Sequence, residues 1–295
     1  METFVFSKTM NNQTQRFPTL VVAAFISSVA LVAVPARAQA QESSGPDRVA
    51  VTLTDPSRPA LVKASLINGG ITVKAYDGKE VIVEARARNH ERESARSESN
   101  MRRITVSSTG LSVEAENNEV HISTDSFARP IDLTISVPVH TSLKLSAVND
   151  GNIVVTGVDG ELDVNDVNGS VTLNNVSGSA VAHALNGRLL ATFTHVNQKP
   201  MAFSSLNGDI DVTFPADLKA NLSLKSDRGE ILTDFDVQMQ SAQAQQIVED
   251  DRGHGGKYRV QIDKAVHGTI NGGGPEYQFT NFNGGIYIRK AGAAR

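Results

Sequence analysis

Between Val148 and Ala191 the chain reads VNDGNIVVTGVDGELDVNDVNGSVTLNNVSGSAVAHALNGRLLA. Glycines fall at 151, 160, 169, 178 and 187, a step of nine taken four times in succession. A fixed period of this kind means that each unit cannot bury its own apolar face and must stack on its neighbours. Counted from each glycine, apolar residues recur at +2, +4 and +7: Ile153, Val155, Val158; Leu162, Val164, Val167; Val171, Leu173, Val176; Ala180, Ala182, Leu185. Positions +2 and +4 share one face of an extended strand, whereas +7 is an odd step away and points to the other. A flat meander with one wet face would expose the +7 set. A coil that turns a corner between +4 and +7 can bury all three, so the pattern predicts a β-solenoid.

The period runs on in both composition and spacing. Units starting at Gly187, Lys199, Gly208, Ala220 and Gly229 extend the series, and pairing successive units gives coils of 18, 18, 21 and 21 residues. Asn168-Gly169, Asn186-Gly187 and Asn207-Gly208 suit the corners, because Asn and Gly tolerate positive φ and Asn bonds its own backbone. The expected structural corners are thus Gly151, Gly160, Gly169, Gly178, Gly187, Gly208 and Gly229 with Asn168, Asn186 and Asn207. Asp150, Asn168, Asn186 and Asn207 are expected to stack about 4.8 Å apart as a side-chain ladder.

Outward from the repeat, Ala60–Ile67, Ile71–Ala75, Val81–Ala87, Ile104–Val106 and Ile131–Val137 read as strands, joined to the coils through Leu143, Leu145 and Val148. Tyr258–Ile262, Tyr277–Phe279 and Ile286–Ile288 read as strands closing the other end, since bare strand edges invite aggregation. The fold class expected is all-β: a parallel β-helix-like solenoid of coils about 18–21 residues long, with a β-rich N-terminal region and a C-terminal cap. Its divisions are 1–40, a signal peptide; 41–140, the β-rich N-terminal part of the solenoid; 141–236, regular β-repeat coils; 237–257, a polar loop; and 258–295, the C-terminal β cap. Residues 89–100, charged with both signs and lacking an apolar stripe, read as a solvated loop or short surface helix.

Lys8 and Arg16 precede an apolar run from Leu20 to Val34, followed by Ala36-Arg37-Ala38-Gln39-Ala40. This is a signal-peptide pattern with cleavage after Ala40; the run is short for a membrane span. The chain is expected in the periplasm, outside the cell or on its surface, with no stable membrane span after processing. There is no cysteine, which excludes disulfides, thiolate metal sites, thiol nucleophiles and a lipid-modified cysteine. A net charge of −4 without a long basic run lacks the footprint of a nucleic-acid binder. Trp is absent and aromatics are 5%, which counts against an aromatic carbohydrate cleft.

The stretch Val137–Phe235 and the segment Ile270–Lys290 resemble the bacterial secreted β-strand-repeat family of unknown function catalogued as "putative adhesin". The residues carrying the likeness are Val-Asn-Gly-Ser-Val-Thr-Leu at 167–173, Leu-Asn-Gly-Asp-Ile-Asp-Val-Thr-Phe-Pro-Ala-Asp-Leu-Lys-Ala at 206–220, Arg-Gly-Glu-Ile at 228–231, Ile-Asn-Gly-Gly-Gly-Pro at 270–275 and Asn-Phe-Asn-Gly-Gly-Ile-Tyr-Ile-Arg-Lys at 281–290. The resemblance implies an exported solenoid-like fold and no established activity.

Chemistry-bearing patterns are sparse. Asp150, Asp159, Glu161, Asp163 and Asp166 are close in sequence, and paired acids can cleave glycosidic bonds, so a polysaccharide-active enzyme of β-helix type is the alternative reading. Corner and outward-facing acids are otherwise solubilising. Residues 148–152 come nearest to a calcium loop but lack its G-G-x-G-x-D pattern and read as a turn. The histidines at 90, 121, 140, 183, 195, 254 and 267 form no metal-binding pair motif, although His183 and His195 lie in neighbouring repeats. No cofactor, metal or catalytic residue is assigned. The expected partners are polysaccharide or an envelope or surface protein, bound by a non-catalytic, adhesin-like or structural module.

Overall fold

Corner spacing and apolar alternation together dictate a stack of two-strand coils. The computed structural model describes residues 46–88, 109–125, 129–240, 246–250, 258–262 and 265–292. The signal peptide, the stretch 89–100 and strand Ile104–Val106 lie outside the described residues. The strands are β1 (Asp47–Thr52), β2 (Ala60–Asn68), β3 (Ile71–Tyr76), β4 (Glu80–Ala87), β5 (Leu111–Glu116), β6 (Glu119–Thr124) and β7 (Ile131–Pro138). The central series is β8 (Thr141–Asn149), β9 (Ile153–Thr156), β10 (Asp159–Asp166), β11 (Val171–Ala184), β12 (Leu189–Val196), β13 (Met201–Asn207), β14 (Ile210–Phe214), β15 (Ala220–Ser226) and β16 (Ile231–Thr233). Then come β17 (Val237–Met239), β18 (Gln246–Asp250), β19 (Tyr258–Ile262), β20 (Val266–Ile270), β21 (Glu276–Asn283) and β22 (Ile286–Lys290). Residues 237–257, expected as a polar loop, thus include β17 and β18, and among the described residues β18 pairs with β19 alone, antiparallel.

The chain is all-β among the described residues, and its fold is solenoid-like. One wall stacks β2, β8, β10, the second half of β11, β13, β21 and β15 in parallel register. The opposite wall stacks β3, β9, the first half of β11, β12, β14, β22 and β16. Inward side chains form continuous columns. Ala64, Leu145, Val164, Ala182, Phe203, Phe279 and Leu224 follow one another along the first wall. Ile71, Ile153, Val171, Leu189, Ile210, Ile286 and Ile231 do so along the second.

Coil length sets the filling of the core. Where successive strands are offset by 18 residues, as Ile153, Val171 and Leu189 are, the interior is filled by Val, Leu and Ala. Where Leu189 faces Ile210, 21 residues on, the wider section is filled by rings. Phe193 stacks on Phe214 at 5.3 Å, Phe203 on Phe279 at 5.1 Å, and Tyr277 lies 5.4 Å from Phe214. The Tyr277 hydroxyl is buried without a hydrogen-bond partner, and that burial pushes its pKa up to about 12.

Two expectations need correction. The C-terminal strands do not simply close the end: β21 lies between β13 and β15, and β22 between β14 and β16. The unit at Gly229 therefore does not stack on Gly208. Gly284 comes between them, and a Cβ on Gly229 would lie 1.8 Å from the Gly284 carbonyl oxygen. The actual ends are antiparallel: β4 against β7 and β1 against β4, β5 against β6, and β20 against β15 with β17 outside it.

Within residues 41–140, β2 and β3 form a coil of the stack, because they pair along β8 and β9, Asn68 facing Asn149. Second, only half of the +7 set is buried. Val158 and Val176 are fully enclosed, but Leu185 and Leu206 remain 43% and 39% exposed. Two nine-residue units make one coil, and the two corners differ: one turns its +7 residue inward, while the other leaves it on the outer edge.

Candidate functional site

The edge at which each coil crosses from the first wall to the second is the most regular feature of the surface. The last inward position of the first wall is Leu66, Ala147, Asp166, Ala184, Ser205, Asn281 or Ser226 in successive coils. Where it is polar, it satisfies corner backbone. The Gly169 N–H donates to Asp166 Oδ1 at 2.8 Å. Ser205 Oγ donates to the Gly187 carbonyl at 3.2 Å, and Asn281 Nδ2 to the Gly208 carbonyl at 2.8 Å. Asp166 is wholly buried and its Oδ2 has no partner. Burial pushes its pKa up to about 6, against the lowering effect of the N–H groups of Gly169, Asn168 and Ile153.

Outside these residues runs the asparagine ladder. Asn168 Nδ2 donates to Asn149 Oδ1 at 2.7 Å, Asn186 to Asn168 at 2.9 Å, Asn207 to Asn186 at 2.8 Å, and Asn283 to Asn207 at 2.8 Å. The ladder position is thus Asn149, not Asp150. Asp150 is an extra corner residue with φ of 60°, which is why the step from Asn149 to Asn168 is 19 residues. Asn283 closes the gap between Asn207 and Arg228 that sequence spacing concealed.

The corner glycines allow this stacking. A Cβ on Gly169 would lie 1.8 Å from the Gly151 oxygen, one on Gly187 2.1 Å from the Gly169 oxygen, and one on Gly208 2.2 Å from the Gly187 oxygen. Gly160 and Gly178 form a separate column inside β10 and β11 rather than sitting at Asn-Gly corners.

Immediately before each ladder residue stands an apolar one: Ile67, Val148, Val167, Leu185, Leu206 and Phe282, all exposed or half-buried. Two residues further back, on the outer face of the first wall, come Ser65, Ser146, Asn165, His183, Ser204 and Thr280. Three parallel columns, hydroxyl or amide, apolar, and amide, therefore line one edge. At its far end the Arg228 guanidinium sits over the Phe282 ring at 5.1 Å. At the near end Arg88 donates to both carboxylate oxygens of Asp132 and to the Asp150 carbonyl, beside a polar recess of about 540 Å³ lined by Asn68, Asn149, Asn152 and Asn168. For Asp132, burial acts upward on the carboxyl pKa, but Arg88 and the Gly70 N–H hold it below its ordinary value.

The clustered acids disperse. Asp159 meets His140 at 3.0 Å, Asp163 meets Lys144 at 3.1 Å, and Glu161 is paired with Lys199 on the outer face, while Asp166 points inward. His183 bonds Ser204 and faces Asn165, whereas His195 faces Ser177, so the two occupy different columns. Among the described residues no group of three or more His, Asp or Glu side chains is arranged to hold a metal. The basic residues are likewise spread: Arg188 and Arg289 both bond Asp211, a buried carboxylate that sequence reading did not single out.

A family model described as Toastrack DUF4097 matches residues 42–271. No curated protein matches the chain. Among solved structures, this chain is similar to that of a "putative cell adhesion protein" of Clostridium sporogenes, at 11% identity and a TM-score of 0.45, covering 83% of this chain and 99% of that one. Another is described as a "putative adhesin" of Bacteroides fragilis, at 14% identity and a TM-score of 0.33, covering 84% and 98%.

Proposed function

The chain belongs to the Toastrack DUF4097 family, and from that premise and the geometry of its corner edge we propose that it is an exported, non-catalytic module of the cell envelope, adhesin-like in binding polysaccharide or a surface protein through its repetitive outer surface. The observation that carries this reading is the continuous corner edge, along which the asparagine ladder and its flanking columns repeat coil by coil. A solenoid offers such an edge as an extended binding surface without needing a pocket. Export rests on the n-region, apolar run and Ala-x-Ala pattern of residues 1–40, which would leave a mature chain of net charge −6. Coils of 18–21 residues are part of the same reading, and whatever their length the hydrogen-bonded strand spacing of about 4.8 Å sets the pitch of the edge.

The enzyme alternative needs two carboxylates converging on one bond. Asp159, Glu161 and Asp163 instead point outward into separate ion pairs, and Asp166 is enclosed. The test is incubation of the purified exported protein with isolated cell envelopes and with host-type glycans, measuring saturable co-sedimentation and analysing released products. Saturable binding with unchanged chain lengths is expected. Cleavage products would overturn the reading and make Asp150 through Asp166 the first acids to mutate; absence of any saturable binding would overturn it as well.

A further inference from the structure

The apolar stripe that includes the outward half of the +7 set is the least expected feature of the fold, because Ile67, Leu185, Leu206 and Phe282 are exposed and Val148 and Val167 only half-buried. Ile67, Val148, Val167, Leu185, Leu206 and Phe282 form a stripe along one edge, with the asparagine ladder on one side and the hydroxyl and amide column on the other. Resting on the envelope-binding reading above, we propose that this edge is a track for a neutral, extended polysaccharide lying along the solenoid axis, with the apolar stripe taking the C–H faces of successive sugars and the two polar columns taking their hydroxyls.

Three properties of the edge favour this occupant. The first is charge: across the six coils the three columns contain no ionisable side chain except His183, and ionic residues flank the edge at its ends, Arg88, Asp132 and Asp150 at the near end and Lys225, Asp227 and Arg228 at the far one. An acidic polymer or a charged peptide would find no counter-charge on the columns themselves, whereas a neutral polyol needs none. The second is pitch. The columns repeat once per coil, about 4.8 Å, comparable to the rise of one sugar in an extended chain, so each coil can present the same contacts to each unit.

The third is area. Five steps of about 4.8 Å by about 10 Å across three residue positions give about 240 Å², well below the roughly 800 Å² per partner of a stable protein interface. A narrow polymer fits such a strip, and a second copy of this chain would not be held by it alone. Phe282, with Arg228 beside its ring, supplies the aromatic face at the far end.

The test is calorimetric titration of the purified exported protein with neutral linear oligosaccharides of two to eight units (β-1,4-glucan, β-1,3-glucan and N-acetylglucosamine oligomers) and, separately, with polygalacturonate. Affinity for at least one neutral series should rise with length and level off near six units, one per coil. The double variant Leu185→Ser/Leu206→Ser should bind that series at least tenfold more weakly, while Val181→Ser, which alters an exposed residue outside the track, should bind as wild type. Unchanged melting temperatures would show that both variants are folded. Neutral binding indifferent to the double variant, or binding of polygalacturonate alone, would overturn the track and leave the envelope-module reading standing. No binding to any of these sugars would also overturn the track, and the module reading would then stand or fall on envelope co-sedimentation. A dimer broken by Leu185→Ser/Leu206→Ser in sedimentation velocity would assign the stripe to self-association and overturn the proposal.

Discussion

Replacing Asp166 with asparagine should remove a pH-dependent weakness built into the corner at Gly169. The carboxyl is fully buried, one oxygen accepts the Gly169 N–H, and the other has no partner. Its pKa of about 6 in the folded protein stands above the ordinary 3.8. The folded state therefore holds this proton more tightly than the unfolded state, and the stabilisation is complete below pH 4 and is lost as pH rises through 6. With about 1.4 kcal/mol per pKa unit, the difference corresponds to at most about 3 kcal/mol, a large share of a typical net stability.

In Asp166→Asn the oxygen that accepts from Gly169 is retained, and the amide nitrogen replaces the unpartnered oxygen at a cost that does not vary with pH. Urea denaturation at half-unit intervals from pH 4 to pH 8 should show wild type losing up to about 3 kcal/mol relative to Asp166→Asn across this window. Carboxylates held below their ordinary values, such as Asp47 beside Thr109, titrate at lower pH and cancel in the comparison. Parallel pH profiles for the two proteins would refute the buried, proton-binding role of Asp166.

Gly169→Ala should destabilise by about 4 kcal/mol or more, because its Cβ meets the Gly151 carbonyl, whereas Gly272→Ala, with φ of +83° but open space around it, should cost about 1–2 kcal/mol; thermal melts of the two variants compare them directly. Asn186→Ala removes two rungs of the ladder and should lower stability by about 1–2 kcal/mol in urea titration. Tyr277→Phe should raise stability by about 1 kcal/mol, since the hydroxyl it removes is buried without a partner; a lower melting temperature would point to a partner for that oxygen.

Much of the stack was legible in the sequence because its determinants are local and periodic. Gly151, Gly169, Gly187 and Gly208 must be glycine to let one coil's carbonyls approach the next, and Asn marks the same corner. The fate of the +7 residues was not legible, because parity says only that Val158 and Leu185 face away from their strand partners, not which corner curls inward. Asp150 concealed Asn149 because both are turn-forming and adjacent. The order of coils was hidden for a different reason. The 21-residue step from Gly208 to Gly229 copies a normal coil, so nothing local reveals that Tyr277 to Lys290 inserts there. That choice is tertiary, made by the match of Tyr277 and Phe279 to Phe203 and Phe214 in the wider part of the core. The candidate edge inherits both gaps, since Phe282, Asn283 and the exposed stripe belong to it.

The edge exists as one continuous surface only if Asn283 stands between Asn207 and Arg228. The absence of native cysteine makes this directly measurable. Two double variants, Asn207→Cys/Asn283→Cys and Asn207→Cys/Arg228→Cys, would be oxidised under mild conditions and their free thiols counted. Facing positions on adjacent parallel strands lie within disulfide reach, whereas positions two coils apart do not. The predicted result is rapid closure of the 207–283 pair and two free thiols in the 207–228 pair; closure of 207–228 with 207–283 left open would contradict the threaded stack and, with it, the continuous corner edge.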